Sequence, residues 1–381
     1  MTADLPQRQG PLAEALRQPL LLGLFLPIQD GGWSISTLPR STDWSFEYNK
    51  RLTLQAEALG FDLVFGLAQW LSKGGHGGEM RYRENSLDSF VATAALSSVT
   101  SRILLISTVH VLYGPWHPLH LAKYGATLDH ISGGRWGVNI VTGHVGAEWQ
   151  MFGKTRVEHD LRYEMVDEFV DIAKRLWLSD ENLSLDARFW SLKEAFVSPR
   201  PAHGRPILVN ASGSEAGFDF AARHSDLVFV PSPTGVEIEP TLEALPAFTG
   251  RLKAKALAQG REVRAIINPT IVSGATDAEA QDYYRAIIAA EDKDASVGFT
   301  NRVRGDSDAH AWSTHKPVEG ARAVGGNLHL VGGPERIRDY LLRLKQSGID
   351  GVQISFFDFE RDLAFFGREV LPLLHEAGLR I

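Results

Sequence analysis

Continuous apolar runs alternate along the chain with segments whose apolar residues recur every three to four positions. The run Leu20–Ile28 is typical of a strand buried on both faces, and the apolar stripe that follows Asp160 is typical of a helix packed on a core. The runs predict strands at 20–28, 61–68, 102–111, 135–143, 205–211, 226–231, 265–274 and 351–357. Eight strands that alternate with helices predict an α/β protein with the (β/α)8 TIM-barrel fold.

Three segments depart from this repeat. Residues 1–19 predict a flexible N-terminal arm, which leaves 20–381 as a single barrel domain. Residues 183–199 predict a short hairpin added to the barrel. Between 291 and 327 the pattern breaks, and a long break inside a compact domain is typical of a lid. This lid insertion contains Arg302, Arg304, Asp306, Asp308, His310 and His315.

A doubly wound sheet is the alternative fold for alternating strands and helices. A dinucleotide-binding sheet of that kind has a G-x-G-x-x-G turn directly after its first strand. At that position this chain reads PIQDGGWS. The sequence therefore favours the barrel.

Composition and charge narrow the range of partners. Apolar residues make up 44% of the chain, which is enough for a large core. The formal charge of −7 and the lack of a basic block argue against nucleic acid and anionic membranes as partners. The chain has no cysteine, which excludes disulfides and thiolate metal sites and favours a cytoplasmic location. No apolar run approaches the ~20 residues that span a bilayer.

Candidate site residues follow from the barrel, whose active site lies at the C-terminal ends of the strands. The side chains that end the predicted strands are Gln29, Gln69, Trp70, His110, Asn139, Thr142, His144, Ser212, Ser214 and Asp358. The small turn Ser212-Gly213-Ser214 opens a helix, so its backbone N–H groups and hydroxyls could seat a phosphate. An ordinary serine helix cap is the other interpretation.

Glu148, Arg162 and Tyr163 flank the same corner. The arginine fork suits a phosphate, although a solvated salt bridge explains it as well. Asn139 stands inside an apolar strand, where it either binds a polar heterocycle or is satisfied within the core. The metal-binding pattern H-E-x-x-H is absent, and so is the G-x-S-x-G turn of a serine nucleophile, so we expect neither a metal nor a serine triad.

Four runs resemble the bacterial luciferase-like, flavin-dependent monooxygenases. They are TDWSFEYNKRLTLQAEALGFD, GPWHPLHLAKYGATLDHISGGRWGVNIVTG, EHDLRYEMVDEF and FGREVLPLL. The resemblance extends from about Leu20 to Leu374 and is strongest to the dimethyl sulfone monooxygenases. Pyrimidine and alkanesulfonate monooxygenases are the related branches.

The resemblance implies reduced FMN and O2 as co-substrates, a separate NAD(P)H:FMN reductase, and a homodimer or homotetramer. It also implies that FMN contacts Ala68, Gln69, Asn139, Glu148, Arg162, Tyr163 and Ser214, with the phosphate at Ser214. Ser212 and Gly213, from the same turn, complete the candidate cofactor site. The candidates for catalysis are Gln69, Trp70, His110 and His144. His144 departs from the family, which often has tryptophan at that position, so the substrate stays open.

The leading hypothesis is an FMNH2-dependent monooxygenase of sulfur metabolism that oxidises a small sulfone or sulfonate and cleaves a C–S bond. Oxidative ring opening of a pyrimidine-type heterocycle is the nearest alternative. A deazaflavin-dependent dehydrogenase or a non-enzymatic flavoprotein could use the same fold. Oxygen uptake with FMNH2 separates these classes, because only an oxygenase couples it to product.

Overall fold

The computed structural model describes residues 9–305 and 320–381, and in these ranges the chain has twelve strands. The strands are β1 (Leu21–Phe25), β2 (Leu63–Phe65), β3 (Leu104–His110), β4 (Trp136–Val141), β5 (Leu183–Asp186), β6 (Ser191–Ala195), β7 (Ile207–Ala211), β8 (Leu227–Val230), β9 (Arg264–Ile267), β10 (Pro269–Ser273), β11 (Leu328–Gly332) and β12 (Gly351–Ile354). Eight of them close a parallel barrel in the order β1-β2-β3-β4-β7-β8-β9-β12, with β12 beside β1. The predicted TIM barrel is confirmed, and the doubly wound alternative is excluded.

Helices surround the barrel and connect successive strands. They are α1 (Pro11–Ala15), α2 (Phe46–Ala58), α3 (Ser89–Ser97), α4 (Pro118–Ser132), α5 (Gly146–Met151), α6 (His159–Leu178), α7 (Glu215–His224), α8 (Ile238–Ala258), α9 (Asp277–Ala289), α10 (Lys293–Gly305), α11 (Ala321–Val324), α12 (Pro334–Gln346), α13 (Phe359–Phe365) and α14 (Leu371–Glu376), with one π-helical turn at Phe366–Val370. No helix in the described ranges has the length and apolar character that crossing a bilayer requires.

An aromatic floor closes the barrel interior beneath the strand ends. Phe25 pairs in register with Phe65, and Phe65 with Ile106, so these side chains share the inward face. The rings of Phe25 and Phe65 lie 5.0 Å apart, and Phe65 meets Phe229 of the opposite strand β8 at 4.6 Å. Thr108 and Asn139, which lie further along β3 and β4, therefore stand above an apolar layer.

The prediction of one seventh strand at 265–274 is wrong, because the structure has two strands there. It divides at Asn268 into β9, which stays in the barrel, and β10, which leaves it and pairs with β11. Pro269 opens β10 and has no N–H to continue the barrel ladder, which favours the division at this point. β11 lies in a segment for which the sequence predicted no strand.

The predicted arm and the predicted lid both contain helices within their described residues. Part of the predicted flexible arm forms helix α1, because Leu12 is fully buried in the core beneath the barrel. Within the predicted lid, Lys293–Gly305 forms helix α10 and Ala321–Val324 forms helix α11. Asp306, Asp308, His310, His315 and the side chain of Arg304 lie outside the described residues. The predicted hairpin is confirmed as β5 and β6.

Candidate active site

A buried carboxylate organises one side of the barrel mouth. Glu148 lies on the short helix α5, and its carboxylate accepts a 2.5 Å hydrogen bond from the Tyr113 hydroxyl. Its other oxygen lies 3.4 Å from the backbone nitrogen of Trp70, which donates to it. The loops that follow β2, β3 and β4 are thus tied together by one side chain.

His110 ends β3 next to this carboxylate. Its ring stacks on Tyr113 with centroids 4.9 Å apart, and its Nε2 lies 4.0 Å from Glu148 Oε2. Burial, together with the nearby His144, lowers the pKa of His110 to about 3, so this imidazole is neutral at physiological pH. Burial and the charge of Glu148 raise the pKa of Tyr113, which keeps its hydroxyl protonated as a donor.

Two amide side chains near the strand ends each have one buried atom without a hydrogen-bond partner in the described ranges. Asn139 and Thr108 are register partners on β4 and β3, and Asn139 Nδ2 donates to Thr108 Oγ1 at 3.1 Å. Asn139 Oδ1 and Gln69 Nε2 are both buried and have no partner within the described parts of the chain. An acceptor and a donor left open in this way suit a polar heterocycle, because a buried polar group without a partner is costly.

The N-terminus of α7 forms a second polar corner. Ser214 caps this ten-residue helix by accepting from the Gly217 nitrogen at 3.1 Å, as the alternative interpretation expected. The bond uses the hydroxyl as an acceptor, so its O–H remains able to donate to an anion. Ser212 Oγ lies 3.4 Å from the Tyr163 hydroxyl, and a side chain in place of Gly217 would overlap Ser212.

Arg162 occupies the first turn of α6, next to Tyr163 in the chain. It is 1% exposed and donates from Nη1 to the carbonyl of Val157 at 2.7 Å. A cation this deeply buried is not the solvated surface arginine that the sequence left open.

Helix α10 packs on the loop between β2 and α3, residues 66–88. Arg302 of α10 donates to the Trp70 carbonyl at 2.7 Å, and the Phe299 ring lies 4.9 Å from that of His76. Asp292, just before α10, accepts from the Met80 nitrogen at 3.2 Å. Helix α10 and the residue before it are thus seated on the rim of the barrel mouth.

The structure brings part of the sequence candidates into two groups, whereas Gln29 donates to the Gly32 carbonyl and Asp358 accepts from Ser41, outside both groups. Gln69, Trp70, His110 and Glu148 meet at the mouth with the half-buried His144, whose carbonyl accepts from Arg156 at 2.9 Å. Tyr163 and Ser212–Ser214 meet at the start of α7.

Thr108 and Tyr113 of the mouth, and Arg83 of the loop 66–88 that also carries Trp70, were not among the candidates predicted from the sequence. Thr108 could have been found, because it stands two residues before His110 and so shares its inward face. Tyr113 and Arg83 lie in loops, where no periodicity marks orientation.

Two curated proteins are similar to this chain over nearly its whole length. An FMNH2-dependent dimethylsulfone monooxygenase from Pseudomonas putida is 30% identical over 371 residues, covering 95% of this chain and 97% of that protein. Pyrimidine monooxygenase RutA from Pantoea ananatis is 30% identical over 365 residues, covering 93% and 96%.

Solved structures share the fold at lower identity. Riboflavin lyase, determined with modified FMN and riboflavin, matches with a TM-score of 0.83 at 21% identity, covering 95% of this chain and 92% of that one. DmoA from Hyphomicrobium sulfonivorans matches with a TM-score of 0.81 at 19% identity, covering 95% and 89%. The luciferase-like monooxygenase family model matches residues 21–351. The chain therefore belongs to the luciferase-like monooxygenase family.

Proposed function

We propose that this chain is the oxygenase of a two-component system, which uses FMNH2 and O2 to oxidise a small organosulfur compound and cleave a C–S bond. In this reaction one oxygen atom enters the organic product, the other leaves as water, and FMNH2 is oxidised to FMN. The full-length similarity to the dimethylsulfone monooxygenase of Pseudomonas putida is the observation that carries the proposal.

The residues at the barrel mouth fit a flavin. The open acceptor of Asn139 and the open donor of Gln69 match a ring whose edge carries both N–H and carbonyl groups. The start of α7, with the Ser214 hydroxyl, offers donors for the FMN phosphate. We assign Ala68, Glu148, Arg162, Tyr163, Ser212 and Gly213 to the same cofactor site.

Reduced FMN supplies the activation of O2, and the protein supplies binding, orientation and the exclusion of water. Glu148 fixes Tyr113 and the Trp70 backbone, and thereby the side of the pocket that His110 and Gln69 line. Because His110 is neutral, it acts by donating or accepting a hydrogen bond and carries no charge. His144 and Trp70 complete the proposed catalytic set.

Helix α10 is proposed as the described part of a lid. An oxygen-activating flavin reacts wastefully when solvent reaches it, so a cover over the mouth would favour product over hydrogen peroxide. The contacts of Arg302 with Trp70 and of Phe299 with His76 support this role.

We propose that the chain acts as a homodimer or homotetramer in the cytoplasm, supplied by a separate NAD(P)H:FMN reductase. An exposed aromatic patch on α3 and α4 supports self-association. Val91 and Tyr124 are exposed there, and the rings of Phe90 and Tyr124 lie 6.2 Å apart. Exposed apolar patches of this kind are typical of interfaces.

Oxidative opening of a pyrimidine-type ring is the second candidate function. The similarity to RutA, at the same identity as to the dimethylsulfone enzyme, favours it over other chemistries of the fold.

A product assay tests the proposed function. The protein is supplied with FMNH2 by a flavin reductase and offered dimethyl sulfone, ethanesulfonate and uracil under O2. We expect sulfite, sulfinate or aldehyde from an organosulfur compound. Ring-opened uracil as the sole product would transfer the proposal to the second candidate, and oxygen-independent turnover would overturn both.

A further inference from the structure

Arg83 is a buried cation held by aromatic rings at the barrel mouth. It lies in the loop between β2 and α3 and is 8% exposed. Its guanidinium carbon lies 4.8 Å from the ring centroid of Trp33, 4.8 Å from that of Tyr82 and 5.7 Å from that of Phe299. Aromatic faces attract a cation, but they do not satisfy its N–H donors.

Arg83 has no counter-ion within residues 9–305 and 320–381. Its Nε is buried without a hydrogen-bond partner, and in these ranges no carboxylate approaches the guanidinium within 4 Å. The other buried arginines there donate to carboxylates or carbonyls; they are Arg135, Arg162, Arg205, Arg261 and Arg380. Arg205, for example, makes two bonds to Asp226, at 2.7 and 2.8 Å. Arg83 is the exception among them.

The position of Arg83 connects it to the pocket. The Trp33 ring under its guanidinium lies 3.5 Å from the ring of Phe25, which belongs to the aromatic floor of the barrel. The His76 ring lies 4.9 Å from that of Phe299 on α10, and burial, together with the charges of Arg83 and Arg302, lowers the pKa of His76 to about 3. His76 is therefore neutral and adds no charge beside Arg83 and Arg302.

The backbone also marks this loop as constrained. Arg83 has a φ of 62° and Arg81 a φ of 47°, in the left-handed region that side chains other than glycine rarely adopt. Strained residues of this kind persist where the surrounding structure fixes them, and they cluster at ligand sites. The contacts of Arg83 with Trp33, Tyr82 and Phe299 hold its side chain in one place without neutralising it.

We propose that Arg83 binds an anionic oxygen group of the substrate, so that the substrate is a small sulfonate rather than a neutral sulfone. The guanidinium fork matches two oxygens of a sulfonate, and the alkyl part would pack against the Trp33 ring. This inference rests on the proposed function for the sulfur chemistry. The charge requirement itself comes from Arg83.

Calorimetric titration tests the inference without turnover. Ethanesulfonate, propionate and dimethyl sulfone are titrated into the protein with oxidised FMN present. Arg83→Met keeps a side chain of similar length between the rings and removes the charge. Arg81→Met is the matched control, because Arg81 has the same strained backbone but is exposed and pairs with Glu84 at 3.0 Å.

We expect Arg83→Met to weaken the binding of ethanesulfonate about tenfold or more. Both variants should leave the affinity for dimethyl sulfone unchanged. Tighter binding of dimethyl sulfone than of ethanesulfonate by the parent protein would overturn the sulfonate assignment, and so would a preference for propionate. If Arg83→Met lost affinity for ethanesulfonate and for dimethyl sulfone equally, Arg83 would only support the structure, and the proposal would be overturned.

The two proposals fail separately. Arg83-dependent binding of ethanesulfonate without product from FMNH2 and O2 would overturn the oxygenase and leave the anion site supported. Product formation that is equally fast in Arg83→Met at low ethanesulfonate would overturn the anion site and leave the oxygenase supported.

Discussion

Replacing Glu148 with glutamine is expected to lower the rate of product formation about ten- to a hundredfold, the loss expected from a charge-assisted hydrogen bond of roughly 1.5–3 kcal/mol. The carboxylate accepts from Tyr113 and from the Trp70 backbone, and it stands 4.0 Å from His110. A neutral amide of the same size keeps the volume but weakens these contacts. The measurement is product per unit time under saturating FMNH2.

Tyr113→Phe tests whether Glu148 acts by positioning its neighbours or by supporting the fold. It removes only the hydroxyl that donates to Glu148, so the double variant should lose little more activity than Glu148→Gln alone. Glu239→Gln is the matched control, because Glu239 is exposed and pairs with Arg343 away from the mouth. Fully additive losses in the double variant would show that Tyr113 and Glu148 act independently.

Replacing Gly298 with alanine is expected to uncouple the reaction, with several-fold more hydrogen peroxide formed per FMNH2 consumed. A Cβ at this position of α10 would overlap the carbonyl oxygen of His76, so the helix must move off the loop beneath it. Displacing α10 also pulls Arg302 from the Trp70 carbonyl and opens the mouth to water. Peroxide and product are measured together in the same assay.

Gly250→Ala is the control for the lid experiment. Gly250 lies inside helix α8, and a Cβ at this position would meet no atom within 4 Å, so alanine there should be neutral or add about 0.5–1 kcal/mol of stability. The barrel of Gly298→Ala should stay folded, because α10 lies outside the strand repeat. Unchanged coupling in Gly298→Ala would contradict the proposed lid.

The barrel was predictable because its strands are continuous apolar runs, which burial on both faces requires. The division at Asn268 was not, because β10 is as apolar as β9 and only Pro269 marks where the ladder stops. Helix α10 was missed because its apolar face is narrow: Phe299 meets the rim, while Val297 is exposed.

The candidate site was predictable where a strand fixes the direction of a side chain. His110 and Asn139 follow from the rule that ligands bind at the strand ends. Arg83 was not predictable, because its burial depends on a loop folding back onto Trp33 and on α10 arriving from more than two hundred residues away. Contacts between insertions that are distant in the sequence leave no periodic pattern of apolar residues.

Anaerobic titration with FMNH2 and with FMN tests the central claim, which is that this barrel mouth binds reduced FMN as a co-substrate. We predict tighter binding of FMNH2 than of FMN, and no oxidation of NADH by the protein alone. In the same titration, Arg162→Ala should weaken the binding of FMNH2 about ten- to a hundredfold. The same variant should leave the affinity for reduced riboflavin unchanged, because riboflavin lacks the phosphate. Equal or tighter binding of oxidised FMN, with NADH oxidised by this chain alone, would contradict the account.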